Sequence, residues 1–193
     1  MLLSFFQGER RPAPAAMIGL ATPMHPDLGG SYRSTLVGAW IFGLAGGALL
    51  VHAALGPLAT REQLGSAILY GSSGAICLLG AGLHTRTAVW YRCCSAVFYD
   101  MVSAPMILRV INDGRGRALF LELHDWSDQA RLSPRIRIQC QAPAWDARTV
   151  DGESAKVRIA PELDGPVVVE TSLGVLWPAP LARRWNRVEG ALR

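Results

Sequence analysis

Hydrophobic residues in the first half of the chain form two long uncharged runs. Residues 36–55 and 64–83 contain no Lys, Arg, Asp or Glu, and each run is 20 residues long. At about 1.5 Å per residue, a helix of this length spans roughly 30 Å, the thickness of the hydrocarbon core of a bilayer. The pattern therefore predicts two transmembrane helices.

The short connection between the two runs predicts an antiparallel hairpin. Gly56 and Pro57 are typical of a helix end, and Thr60 can cap the next helix. Both ends of the hairpin then lie on one side of the bilayer.

Basic residues mark that side. Arg33 precedes the first run and Arg86 follows the second, whereas Arg61 in the connection is offset by Glu62. The positive-inside rule then predicts that both termini face the cytoplasm, matrix or stroma. The predicted membrane-interface residues are Arg33, Arg86, Trp90, Tyr91 and Arg92.

Small residues predict close packing of the two helices. Four-residue spacing places them on one helix face, where two backbones can approach each other. The candidate helix-packing residues are Gly43, Gly47, Ala67, Gly71, Ala75, Gly74 and Gly80. The simplest interpretation is an interface within the hairpin. The spans hold more small residues than one interface needs, which leaves a second surface for a neighbouring subunit as a hypothesis.

Alternation of apolar and polar residues replaces the helical runs in the second half. This period of two predicts a small antiparallel sheet, with an Asp-Gly turn between its first two strands. The predicted strands are Met106–Ile111, Ala118–His124, Arg135–Gln141, Lys156–Ile159, Val167–Thr171 and Gly174–Trp177. The segment 88–102 either continues the second helix or begins the sheet.

These patterns together predict an α+β membrane protein, in which a two-helix transmembrane hairpin is followed by a small antiparallel β-rich soluble domain. The predicted divisions are an extended N-terminal arm over residues 1–33, the hairpin over 34–85, and the β-rich domain over 86–193. The last residues, 181–193, form a basic tail that is either a short helix or a solvated end.

Charge and cysteine content exclude several classes of protein. Residues 84–193 carry 15 basic and 12 acidic residues, a balance that argues against a nucleic-acid-binding domain. The four cysteines, Cys77, Cys93, Cys94 and Cys140, form no CxxC motif. Neither a zinc site nor a disulfide scaffold is therefore predicted, and the thiols are expected to be reduced.

Two histidines are the candidates for chemistry. His52 is the ionisable group within the first span, which makes it a candidate ligand for haem or chlorophyll. Its place near the helix end favours a neutral histidine at the membrane interface, and the hairpin puts His84 on the other side of the bilayer. His124 lies beside Asp125 at a strand end, which favours a surface or capping role. The sequence predicts neither an enzyme nor a small-molecule substrate, metal or cofactor, with bound lipid left open.

The stretch Tyr70–Arg92 (YGSSGAICLLGAGLHTRTAVWYR) resembles the mitochondrial transmembrane protein 70, 186 and 223 group. The glycine-rich hairpin, the short loop and the β-rich C-terminal domain extend that resemblance. It implies a non-catalytic subunit or assembly factor of a respiratory or ATP synthase complex, in the mitochondrial inner membrane with both termini in the matrix. Its expected partners are other membrane subunits and the lipid bilayer. A thylakoid photosystem subunit or assembly factor has a similar outline, and a bacterial plasma membrane remains an alternative location.

Overall fold

The computed structural model describes residues 22–55, 61–112, 118–125, 136–161, 165–180 and 185–186. The described residues form two long helices followed by seven strands. The elements are α1 (Pro26–Leu55), α2 (Arg61–Asp100), β1 (Ala104–Asn112), β2 (Ala118–Asp125), β3 (Ile136–Gln141), a 3₁₀ helix (Ala147–Val150), β4 (Ser154–Ile159), β5 (Val167–Thr171), β6 (Gly174–Leu176) and β7 (Trp185–Asn186). The structure confirms the prediction of two long apolar helices followed by an antiparallel sheet.

Helix α1 begins ten residues before the uncharged run, at Pro26. Proline suits the first turn of a helix, because its fixed φ is helical and its missing N–H would have no partner there. The carbonyl of His25 accepts hydrogen bonds from the amides of Leu28 and Gly29, at 3.0 and 3.1 Å. The prediction of an extended arm to residue 33 is therefore wrong over 26–33, while the arm over 1–21 lies outside the described residues.

Helix α2 continues 17 residues beyond the second uncharged run and ends at Asp100. The helical alternative for residues 88–100 is thus the correct one. The chain divides into two compact units within this helix, between Arg92 and Cys93, rather than at the predicted boundary after residue 85. Helix α1 and residues 61–92 form one unit; the last two turns of α2 belong with the sheet.

The sheet is antiparallel, with the strand order β6-β5-β4-β1-β2-β3-β7. Its two ends meet, because the chain leaving β6 turns to pair with β3. Cys140 bridges to Pro178, and the amide of Gln141 donates to the carbonyl of Trp177 at 2.9 Å. The sheet is therefore nearly a closed barrel.

Alternate side chains of the strands fill the interior of this barrel. In β2, Leu119, Leu121 and Leu123 point inward and are fully buried, as the period of two predicted. Ala147 and Val150 of the 3₁₀ helix join the same core. The six predicted strands all appear, with ends that differ by a few residues.

The C-terminal tail contributes a strand, not a helix, where it is described. Trp185 and Asn186 pair with Arg137 and Ile136 of β3. An unpaired strand edge presents backbone donors and acceptors that favour such an addition. At these two residues neither of the two predicted alternatives, a short helix or a solvated end, is correct.

Candidate functional site

A close backbone contact within the helical hairpin joins Gly46 of α1 to Gly74 of α2. A Cβ atom added to Gly46 would lie 2.9 Å from the Gly74 carbonyl oxygen, and one added to Gly74 would lie 3.0 Å from the Gly46 carbonyl oxygen. Both residues are buried. The two backbones touch here because neither residue has a side chain to separate them.

Other contacts extend the interface along both helices. Phe42 packs on Gly80, since an added Cβ there would lie 3.4 Å from the Phe42 ring. Gly38 faces the ring of His84, because a Cβ atom added to Gly38 would lie 3.1 Å from that ring. The sum of the paired residue numbers stays near 122 along the hairpin, as expected for two antiparallel helices in register.

The predicted packing residues differ in where they lie relative to the contact between α1 and α2. Gly74 and Gly80 lie in the contact with α1, whereas Gly43 and Gly71 lie at its margin, with added Cβ atoms 3.9 Å from Ala81 and Ala53. Gly47 does not face α2, because an added Cβ would meet no described atom within 4 Å. Ala67 is half-buried and Ala75 is exposed. Sequence reasoning omitted Gly46; its signal is the four-residue series Phe42, Gly46 and Leu50, a glycine between two large residues.

The two histidines of the spans lie far apart. His52 packs edge-on against Tyr70, with ring centroids 4.7 Å apart, and His84 stacks on Phe42 at 5.4 Å. Because His84 lies opposite Gly38, fourteen residues from His52 along α1, roughly 20 Å separates the two rings along the helix axis.

The predicted interface residues lie on the parts of the helices that extend beyond the uncharged runs. Arg33 and Arg86 are exposed, Trp90 and Arg92 are half-buried, and Tyr91 is buried. Tyr91 thus differs from the exposed arginines, because its side chain is buried within the protein.

A buried ionic cluster lies on the outer face of the barrel. Glu122 and His124 are only 8% exposed, and alternation along β2 puts both on the same face. One oxygen of Glu122 accepts a hydrogen bond from Arg137 Nε at 2.6 Å, and the other lies 3.6 Å from His124 Nε2. The surface role predicted for His124 is therefore wrong: its neighbour is Glu122, two residues earlier on the same face.

A second pair on the outer face connects the barrel to the end of α2. Arg158 Nη1 lies 2.8 Å from Glu170 Oε2, and its guanidinium carbon lies 4.5 Å from the centre of the Phe98 ring. The Phe98 ring also packs against Trp177, with centroids 5.7 Å apart. These contacts fix the last turns of α2 to the sheet.

All four cysteines are free thiols. Cys94 and Cys140 are fully buried, and burial raises the pKa of the Cys140 thiol well above its ordinary value. Thiols of this kind are structural rather than reactive. Among the described residues, no group of three or more His, Cys, Asp or Glu side chains is arranged to hold a metal ion.

Comparison with models of known families gives no match for this chain, and comparisons with curated proteins and with solved structures give none either.

Proposed function

We propose that this protein is a non-catalytic membrane protein that acts as a subunit or assembly factor of a larger membrane complex. The observation that supports this proposal most strongly is the surface of the helical hairpin. Both helices are long and apolar enough to cross a membrane. Outside their mutual contact they expose large hydrophobic side chains on all sides.

These side chains are more than half exposed. They are Val37, Trp40, Ile41, Leu44, Val51, Leu55, Ile68, Leu69, Ile76, Leu79 and Leu83. Each would gain on the order of 1.5–3 kcal/mol from full burial away from water. An exposed apolar area of this extent indicates contact with lipid or with other hydrophobic helices.

The contact at Gly46 and Gly74 favours a hairpin that folds in lipid. Lipid tails are as apolar as leucine, so two helices in a bilayer gain little from hiding hydrophobic side chains from water. Close backbone packing supplies dispersion contacts instead. The described hairpin is held by this kind of contact.

The sheet domain supports a role in binding other subunits of the complex. Its interior is filled by hydrophobic side chains, and the charged residues Arg137 and Glu122 are engaged in structural pairs on its outside. The proposal therefore assigns the barrel to protein contact and not to catalysis.

The resemblance and the charges support our proposal for the membrane and the complex. The exposed Arg33 and Arg86 favour the negatively charged, inward side of a membrane for both termini. The resemblance to the transmembrane protein 70, 186 and 223 group favours the mitochondrial inner membrane and a respiratory or ATP synthase complex.

Mild-detergent extraction followed by native electrophoresis and mass spectrometry tests this proposal. The expected result is a protein that resists carbonate extraction and migrates with identified membrane subunits. A protein released by carbonate contradicts the membrane assignment, and one that stays alone and monomeric contradicts the subunit role. An absorption band of haem or chlorophyll that is lost in His52→Ala would instead favour the cofactor-binding alternative.

A further inference from the structure

We draw no further inference here: the strongest candidate, the buried cluster of Glu122, His124 and Arg137 on the outer face of the barrel, belongs to the structural contacts already described, because His124 Nε2, which has no hydrogen bond with a described residue, is closed off from solvent and lies 3.6 Å from Glu122 Oε2 rather than at an opening that a ligand could enter.

Discussion

The contact between Gly46 and Gly74 makes a quantitative prediction for the variant Gly46→Ala. The added Cβ would lie 2.9 Å from the Gly74 carbonyl oxygen, 3.0 Å from Leu78 Cγ and 3.1 Å from Cys77 Cβ. Carbon atoms pack best at about 3.5–4.0 Å. Two of these three neighbours are backbone or Cβ atoms, so they cannot move away by rotating a side chain. The helices must separate locally instead.

Gly47→Ala is the matched control. An alanine in a helix interior gains up to about 1 kcal/mol over glycine in either position. That gain cancels when the two variants are compared, which leaves only the steric difference. Overpacking of a close contact costs about 1–3 kcal/mol, and Gly47 has open space where its Cβ would lie. Gly46→Ala should therefore be about 1–3 kcal/mol less stable than Gly47→Ala.

Reversible unfolding in mixed micelles of dodecylmaltoside and SDS measures this difference. Separation of the helices is followed by energy transfer between two labels, one on α1 and one on α2. Unfolding of the sheet then does not contribute to the signal. If Gly46→Ala proves as stable as Gly47→Ala, or more stable, the close contact of the two backbones at this point does not exist and the interface is misassigned.

Three further predictions concern other contacts. Cysteines introduced at Ala53 and Gly71 should form a disulfide on mild oxidation while either single variant does not, because the Cβ atoms would be 3.9 Å apart, within the range of disulfides. Arg137→Ala should lower the thermal stability of the sheet by about 1–3 kcal/mol, since it leaves the buried Glu122 carboxylate without its partner, and Arg137→Lys should recover part of this loss in a circular dichroism melt. The raised pKa of the Cys140 thiol keeps it protonated in the folded state while the unfolded thiol ionises, so stability should fall as pH rises past about 8.5 and Cys140→Ala should remove that part of the dependence; an unchanged slope would contradict it.

The strands could be predicted because the sheet follows a local rule. Core residues such as Ile136 and Ile138 alternate with the polar residues Arg137 and Gln139, and alternation is visible within any short window of the sequence. Closure of the barrel has no such signal. The pairing of Cys140 with Pro178 joins segments 38 residues apart, and neither segment shows by itself which edge it will meet.

The ends of the first helix could not be predicted from the uncharged run. An absence of charged residues identifies the part of a helix that fits a bilayer, but it does not locate the ends of the helix. Asp27 and Arg33 are acceptable on a helix in water, so α1 continues through both. The hydrogen bonds that the His25 carbonyl accepts from Leu28 and Gly29, together with the fixed φ of Pro26, set its start, and these are the features that identify the beginning of a helix.

The position of Gly46 shows why a spacing motif is weaker evidence than a face. Gly43 and Gly47 have the four-residue spacing of close helix pairs, yet Gly47 faces away from α2 and Gly43 lies at the edge of the contact. The helix face that meets α2 is set by the series Phe42, Gly46 and Leu50, which surrounds one glycine with two large side chains. Those side chains pack on Gly80 and Gly74, so each helix offers a glycine where the other offers bulk. Complementarity between the helices, and not repetition within one of them, therefore selects the interface.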